Sequence, residues 1–234
     1  MISALIVAAG QGARMGAQTD KLFLHIAGQP VIAHTWSRFE AVASIDEIIL
    51  VVRAGSQSAF HELASRLPLK KPFRVVAGGK ERQDSVWNGL QALSPTAEFV
   101  AIQDGARPCT TPELIEATLD AARESGAAVA AQRVTDTIKE SEDGIIITRH
   151  LERARLWSVQ TPQGFRIEVI RRALSVVRER GLLVTDDTAA CELIGQPVRL
   201  VESIKPNPKI TRPGDLGYIE WLLREEFPNS HGSG

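Results

Sequence analysis

Short apolar runs alternate with helical patterns along most of the chain, and this alternation limits the fold more than any other feature. The candidate strands are rich in Ile, Val or Ala and end at polar or turn residues: 4–8, 47–52, 73–77, 99–103 and 127–131. The segments between them repeat apolar residues at three-to-four spacing: 30–42, 56–67, 84–93 and 111–125. This order predicts a Rossmann-like α/β fold, in which helices cover a mostly parallel sheet and ligands bind at the carboxyl ends of its strands.

Residues 134–161 interrupt the alternation, because charged residues surround one short apolar run at 145–148. We expect this segment to form a projecting β-arm. The edges of an exposed ribbon must be paired or covered, so an arm exchanged between the subunits of a homodimer is our hypothesis. Helical patterns at 167–180, 187–194 and 213–226 and a strand at 198–201 follow. We predict one domain over residues 1–228, with a disordered tail at 229–234.

The composition excludes several classes of protein. The 234 residues are 44% hydrophobic and carry a formal net charge of -1, so a core can form and no overall charge favours nucleic acid or membrane partners. Cys109 and Cys191 lack zinc-site spacing, and we expect both to be reduced thiols. The first apolar run is too short for a signal sequence or a membrane span. We therefore expect a cytoplasmic enzyme.

A glycine-rich loop follows the first strand: Ala8-Ala9-Gly10-Gln11-Gly12-Ala13-Arg14-Met15-Gly16. Met15 stands where a dinucleotide fingerprint needs its third glycine, and the Gly-Lys-Ser/Thr of a Walker loop is absent. The loop is long enough to wrap a triphosphate, since helical periodicity begins only at residue 30. Glycines let backbone amides approach phosphate oxygens. Arg14 and Lys21 add two cations, which suits a loop that neutralises charge in a phosphoryl-transfer transition state.

Ordered motifs along nearly the whole chain carry a resemblance to a known family. They are the glycine loop; Lys21; Gly78-Gly79-x-x-Arg82-Gln83-x-Ser85-Val86; Asp104-x-Ala106-Arg107-Pro108; Asp136-Thr137-x-Lys139; Leu156-Trp157-x-x-Gln160-Thr161-Pro162-Gln163; Thr185-Asp186-Asp187; and Lys209-Ile210-Thr211-x-Pro213-x-Asp215-Leu216. The chain resembles the methylerythritol phosphate cytidylyltransferase family. Any one of these motifs would be a weak signal, but their shared order is specific.

The resemblance implies an in-line attack by the phosphate of a sugar-alcohol phosphate on the α-phosphorus of CTP, with pyrophosphate leaving. It also implies a divalent cation, usually Mg²⁺, and no covalent enzyme intermediate. Arg14 and Lys21 match the stabilisers of the transition state. Arg153 and Lys209 match the groups that hold the acceptor phosphate, and Arg155 replaces Arg153 if the arm is shifted by two residues.

Other positions match substrate-binding residues of the family. Ala8, Ala9, Gly79 and Ser85 resemble the cytosine pocket, although Ser85 alone would more often cap a helix. The resemblance also assigns Gly10, Gly12 and Arg82 to substrate binding. Asp104 resembles an acidic residue near ribose and metal, and the choice between these stays open. Arg107 either contacts substrate or holds Asp104. Thr137, Thr161 and Asp186 are expected on the acceptor side, with Thr185 beside them, and local capping competes with that role.

Two departures from the family pattern are present. Asp20-Lys21-Leu22 replaces Pro-Lys-Gln, and we expect Asp20 to restrain Lys21 and change the rate at which the loop closes. Gly105 replaces Ala, which adds backbone freedom. Three alternative functions share part of this pattern. Ribitol phosphate cytidylyltransferases share the CTP motifs, and a catalytically silent nucleotide sensor would share the fold. An NADP-dependent oxidoreductase with Arg53 at the ribose phosphate fails on Met15.

Overall fold

The computed structural model describes residues 1–10 and 20–226. In chain order its elements are β1 (Ile2–Ala8), β2 (His25–Ile26), β3 (Gln29–Pro30), α1 (Val31–Glu40), β4 (Glu47–Val52), α2 (Gln57–Ala64), β5 (Phe73–Ala77), α3 (Arg82–Gln91), β6 (Phe99–Asp104), α4 (Pro112–Ser125), β7 (Ala127–Arg133), β8 (Lys139–Glu140), β9 (Arg149–His150), a 3₁₀ turn (Arg153–Arg155), β10 (Trp157–Arg166), α5 (Ile167–Glu179), α6 (Asp187–Glu192), β11 (Arg199–Glu202) and α7 (Asp215–Glu226). The strands and helices predicted from periodicity are all present, with small differences at their ends.

A seven-stranded sheet runs through the molecule in the order β11-β7-β10-β6-β1-β4-β5. The pairings β1 with β4, β1 with β6, β4 with β5 and β11 with β7 are parallel, while β10 runs antiparallel to both β6 and β7. The predicted mostly parallel α/β fold is therefore confirmed. Parallel register places Val7 of β1 beside Asp104 of β6, so both strands end at the same edge of the sheet.

The antiparallel strand β10 differs from the sequence interpretation. Residues 157–161 were expected in the projecting arm, but they form the first half of this central strand. Its segment Gln160-Thr161-Pro162-Gln163 is buried although it is polar, and buried strands are normally recognised as apolar runs. The arm proper is therefore residues 134–156, where β8 and β9 pair through Lys139 with His150 and Glu140 with Arg149.

Two helical layers cover the sheet because side chains of a strand alternate between its faces. Ala4 and Ile6 of β1 pack with Trp36 and Phe39 of α1 on one face, whereas Leu5 packs on the other. Helices α1, α2, α4 and α7 contribute to the first cluster, and α3, α5 and α6 to the second. Buried apolar side chains therefore cover both faces of the sheet.

Helix α3 begins where the chain leaves β5 through Gly78 and Gly79. Its start is fixed by a capping box: the Glu81 side chain accepts a hydrogen bond from the backbone N–H of Asp84, and the Asp84 side chain accepts one from the backbone N–H of Glu81. At α4, Thr111 caps Leu114 and Pro112 occupies the first turn, as its sequence position predicted. Within residues 1–10 and 20–226, no helix is long and apolar enough to cross a membrane.

Candidate active site

Two neighbouring cavities open at the carboxyl ends of β1 and β6. The first cavity has a volume of about 220 Å³. The predicted site residues in its lining are Ala8, Ala9, Gly10, Lys21, Gly79, Arg82, Ser85, Asp104 and Lys209. Residues as far apart in sequence as Ala8 and Lys209 therefore meet in one place, at the strand ends where this fold is expected to bind ligands.

The second cavity has a volume of about 310 Å³ and lies on the β10 side of the first. The predicted site residues that line it are Arg82, Asp104, Arg107, Thr161, Asp186 and Lys209, together with Thr185. Arg82, Asp104 and Lys209 line both cavities. We call these three residues the shared wall.

Asp104 is the centre of the shared wall and is only 8% exposed. Its Oδ1 accepts a hydrogen bond from Arg82 Nε at 3.1 Å, and its Oδ2 accepts one from Lys209 Nζ at 2.7 Å. Burial alone would raise its pKa, but the charges of Arg82, Lys209 and Arg107 hold the pKa well below the usual value of 3.8. Asp104 is therefore ionised and faces both cavities.

Arg82 lies between two carboxylates. While Nε donates to Asp104, Nη1 donates to Asp187 Oδ2 at 2.7 Å. Burial disfavours the charged guanidinium, yet the two carboxylates outweigh it and raise the pKa of Arg82 above its ordinary value. Asp187 is fully buried, and burial raises its pKa despite the pairing with Arg82. The guanidinium plane is consequently fixed from both sides.

Arg107 supports the wall from behind. Its Nε lies 4.0 Å from Asp104 Oδ2, and its Nη1 donates to the Asn207 carbonyl at 2.6 Å. Burial lowers the pKa of Arg107 from its ordinary value. The contact of Arg107 with Asp104 agrees with the interpretation in which Arg107 holds Asp104. Arg107 also lines the second cavity.

The floor of the first cavity is tightly packed around Ser85. The Ser85 hydroxyl accepts from the Gly79 N–H at 3.1 Å and donates to the Glu81 carbonyl at 3.2 Å. A Cβ at Gly78 would lie 2.5 Å from the Ala9 Cβ and 2.7 Å from Ser85 Oγ. Glycine at position 78 thus allows α3 to approach the end of β1, and it keeps the pocket narrow.

Lys21 lines the first cavity. Its Nζ donates to the Ile210 carbonyl at 2.8 Å. The preceding Asp20 accepts from the Leu22 N–H at 3.1 Å and from Arg53 at 3.2 Å, so Asp20 anchors the turn that carries Lys21. This ion pair also occupies Arg53, which the oxidoreductase alternative required for a ribose phosphate. Gly12 and Arg14 lie outside the described residues.

Gly105 is held on both sides rather than freed. Its N–H donates to the Val7 carbonyl at 2.9 Å, and its carbonyl accepts from the Thr35 hydroxyl at 2.9 Å. The expected gain in backbone freedom is therefore opposed by two hydrogen bonds next to Asp104.

Thr161 and Asp186 line the second cavity but also have structural partners. The Thr161 hydroxyl accepts from the backbone N–H of Asp104 at 3.1 Å. Asp186 caps α6 by accepting from the Ala189 N–H at 3.0 Å, and it accepts from Gln163 Nε2 at 2.9 Å. Local capping, the competing interpretation, is therefore observed for Asp186, while its contact with substrate stays a prediction.

The structure does not bring Arg153 and Thr137 to either cavity of their own chain. Both lie on the arm and are exposed, and Arg153 Nη1 donates to the Thr135 carbonyl at 2.8 Å. Arg155, the alternative to Arg153, is also exposed and lies 3.9 Å from Glu152. The arm is nonetheless connected to the site, since it ends where β10 begins.

Sequence reasoning missed Asn207 and Asp187. Asn207 is buried, donates to the Thr161 carbonyl at 2.8 Å and accepts from the Thr110 hydroxyl at 2.8 Å, which ties β10 to the loop after β6. Asp187 stood in a recognised motif, and its signal was an acidic residue two positions before the small apolar run Ala189-Ala190-Cys191. An acidic side chain that is buried at the start of a helix usually has a charged partner.

Across the described parts of the chain, no three His, Cys, Asp or Glu side chains gather into a metal site. Asp104 is the carboxylate of the shared wall, and two hydrogen bonds leave part of its acceptor capacity unused, since a carboxylate offers about four lone-pair positions. Mg²⁺ commonly binds through one or two carboxylates together with substrate phosphates. The residues therefore fit an ion that is held mainly by a bound nucleotide.

Comparison with known proteins gives a consistent result over nearly the whole chain. The family model described as IspD, 2-C-methyl-D-erythritol 4-phosphate cytidylyltransferase, matches residues 2–225. A protein of that name from Pelotomaculum thermopropionicum is 41% identical over 225 residues, covering 95% of this chain and 94% of the relative. One from Bacillus cereus is 42% identical over 227 residues, covering 97% of each.

Solved structures agree with the sequence comparison. The crystal structure of 4-diphosphocytidyl-2C-methyl-D-erythritol synthase from Anaerococcus prevotii superposes with a TM-score of 0.85 at 31% identity, and the match covers 95% of this chain and 96% of that one. The structural similarity therefore extends over nearly the whole fold.

Proposed function

The chain belongs to the 2-C-methyl-D-erythritol 4-phosphate cytidylyltransferase family, and we propose that its two cavities hold the two substrates of that reaction. The enzyme transfers CMP from CTP to 2-C-methyl-D-erythritol 4-phosphate and releases pyrophosphate, a step of isoprenoid precursor synthesis. In the proposal, CTP occupies the first cavity and the acceptor occupies the second.

One observation carries this placement: the shared wall belongs to both cavities. An acceptor phosphate in the second cavity and the α-phosphate of CTP in the first would meet at Lys209, Arg82 and Asp104. Two anions that must approach each other need fixed cations between them, and positioning of this kind supplies much of the rate of phosphoryl transfer. Lys209 Nζ, in contact with Asp104 at 2.7 Å, is aimed at that point.

The narrow floor supports cytosine in the first cavity. The backbone at Ala8, Ala9 and Gly79 and the hydroxyl of Ser85 line a space that the close contact at Gly78 keeps small. A pyrimidine fits such a space better than a purine does. Backbone groups there can read the amino and carbonyl edges of the base.

In the proposed mechanism, an oxygen of the acceptor phosphate attacks the α-phosphorus of CTP in line with the departing pyrophosphate. One phosphorus–oxygen bond forms as the bond between the α-phosphorus and the bridging oxygen breaks, and the electron pair leaves with pyrophosphate. Lys21 and Arg14 offset the negative charge that grows on the α-phosphate. Lys209 holds the acceptor phosphate, and Asp104 keeps Lys209 and Arg82 in place.

We propose that Mg²⁺ accompanies CTP, with Asp104 as its protein ligand. When bound, the ion withdraws charge from the phosphates and so makes the α-phosphorus easier to attack. Asp104 serves this role because it is ionised and faces the cavity. The cytoplasmic location predicted from the sequence stays a prediction.

We further propose a homodimer in which the arm of each subunit completes the second cavity of the other. Arg153 and Thr137 are predicted acceptor ligands, yet they lie outside the cavities of their own chain. The arm is solvent-exposed, with Ile145 at 87%, Ile146 at 66% and Ile147 at 62% exposure. An exposed ribbon with apolar residues is typical of a segment that another chain covers.

Pyrophosphate release tests the function directly. CTP and Mg²⁺ are incubated with methylerythritol phosphate and, in parallel, with ribitol phosphate. We expect release with the former only. Release with ribitol phosphate only would assign a different acceptor, and tight CTP binding without release from either would support the nucleotide sensor instead.

Mixed dimers test the exchanged arm. At an acceptor concentration well below the KM of either variant, Arg153→Ala and Lys209→Ala are each expected to show little activity alone. If the arm acts across the dimer, subunits mixed in equal amounts and allowed to exchange regain about one quarter of wild-type activity, because half of the dimers then contain one intact site of two. A mixture that stays inactive after exchange, or a monomeric mass in light scattering, contradicts the exchanged arm.

A further inference from the structure

The strongest feature that the mechanism leaves unused is the buried carboxylate of Asp187. It is fully buried at the first position of α6 and lines neither cavity. Its Oδ2 accepts from Arg82 at 2.7 Å, whereas its Oδ1 is buried and has no hydrogen-bond partner among residues 1–10 and 20–226. An incompletely satisfied buried acid costs stability, so its presence calls for a functional explanation.

The hydrogen bonds form one chain that starts at Asp187, outside both cavities, and continues through the shared wall. Asp187 accepts from Arg82, Arg82 also donates to Asp104, and Asp104 accepts from Lys209. A guanidinium has a planar fork of donors, so two carboxylates at two of its nitrogens fix its plane as well as its position. Removing Asp187 would leave Arg82 attached to Asp104 alone, free to turn about that contact.

We propose that Asp187 is a positioning residue for cytidylyl transfer. Asp187 sets the plane of the Arg82 guanidinium, and Arg82 in turn sets the positions of the Asp104 carboxylate and the Lys209 ammonium. This inference rests on the proposed function, because the shared wall matters only if both substrates meet there. Asp187 itself touches no substrate. Its effect on the reaction passes entirely through Arg82.

The architecture explains why a buried acid is suited to this task. Helix α6 is anchored by Asp186, which caps it and binds Gln163 of β10, while Ala190 and Cys191 pack into the core. Asp187 is therefore held by a rigid element, whereas Asp104 ends a strand that leads into a loop. A charge held on packed secondary structure positions its partner more accurately than one on a loop.

A double-mutant cycle tests the proposal. Asp187→Asn is combined with Arg82→Gln, and kcat and KM for both substrates are measured for the four proteins. We expect Asp187→Asn alone to lower kcat/KM roughly tenfold or more, with higher KM values for both substrates. In the Arg82→Gln background the same change should alter kcat/KM by less than about twofold, since residues that act as a unit are not additive.

Glu47→Gln is the matched control. Glu47 is another buried carboxylate, on β4, and it accepts from the Ser3 hydroxyl and the Ser94 N–H away from both cavities. This control is expected to lower stability in urea unfolding while leaving kcat/KM unchanged. Glu47→Gln shows what the loss of any buried carboxylate does to the protein, so that an effect specific to Asp187 can be recognised.

Two outcomes would overturn the proposal: wild-type kcat/KM in Asp187→Asn, or the same fractional loss in both backgrounds. If Asp187→Asn does not fold, Arg82→Lys decides instead, because one ammonium cannot reproduce both fork contacts. We then expect a loss of roughly tenfold or more, and wild-type activity would refute the positioning role. The turnover of the wild-type enzyme is assayed in the same experiment. It tests the proposed function independently of the kcat/KM ratios between variants.

Discussion

Replacing Asp104 with Asn removes the only negative charge of the shared wall and leaves its shape almost unchanged. The carboxylate contacts Lys209 at 2.7 Å and Arg82 at 3.1 Å, with Arg107 at 4.0 Å. Without it, three partly buried cations face one another, although Asp187 still neutralises part of the charge on Arg82. The variant should therefore lose stability as well as activity.

The expected loss of stability in Asp104→Asn follows from the geometry. At an effective dielectric constant of about 20, a pair of unit charges 3 Å apart gains about 5 kcal/mol before desolvation is counted. Desolvation offsets much of that gain, and removal of one partner from a buried pair costs about 3–5 kcal/mol. For a chain of this length such a loss corresponds to a Tm lower by about 6–20 °C.

The pH dependence gives the prediction a sign. The cations around Asp104 hold its pKa well below the usual 3.8, so its stabilising contribution is fully present above that pH and declines as the pH falls below it. The Tm difference between wild type and Asp104→Asn should accordingly be large at pH 7 and smaller at pH 3. Unfolding is followed by circular dichroism at one protein concentration.

Asp120→Asn is the matched control. Asp120 pairs with Arg123 on the exposed surface of α4, and exposed pairs contribute about 0–1 kcal/mol, so its Tm should change by less than about 4 °C. A similarly small change in Asp104→Asn at pH 7 would refute the reasoning. So would a Tm difference that does not shrink in acid.

Three further predictions concern single side chains. Lys21→Ala should lower kcat roughly a hundredfold with little change in the KM for CTP, because its interaction grows in the transition state; a change in KM alone would mean that it only binds CTP. Lys209→Ala should raise the KM for the acceptor far more than the Kd for CTP, measured by calorimetry, and an equal loss of both would contradict its assignment. Gly89→Ala should destabilise by about 1–3 kcal/mol in urea unfolding, because the added Cβ would lie 2.4 Å from Leu5 Cδ1. Gly217→Ala, in a helix with open space at the Cβ, should be neutral or stabilising, and equal effects at the two sites would refute the packing argument.

Local sequence signals were sufficient to predict most strands of the sheet. The strand ending at Ala8 and the helix that contains Trp36 both follow from the spacing of apolar residues, which is set by the periods of strand and helix. The motifs at Gly79, Asp104 and Lys209 likewise indicated the family and the residues that meet in the first cavity. These features are encoded over short distances, so they can be read without coordinates.

Strand β10 could not be recognised in this way. Gln160, Thr161 and Gln163 form a polar run, and their burial becomes acceptable only when Asn207, Asp186 and neighbouring backbone groups satisfy them. The partners lie between about twenty and fifty residues away along the chain. Periodicity carries no information about such partners, since a buried polar group depends on what packs against it.

The sequence alone determined the α/β class, the glycine loop and the chemical types of the site residues, because each depends on local spacing or residue chemistry. Tertiary structure alone decided that Asp104 is shared by two cavities, that Asp187 holds Arg82 from behind, and that Arg153 lies away from the site of its own chain. These relations are distances between groups up to 105 residues apart. Packing of the sheet and its helices fixes those distances, and no local pattern does.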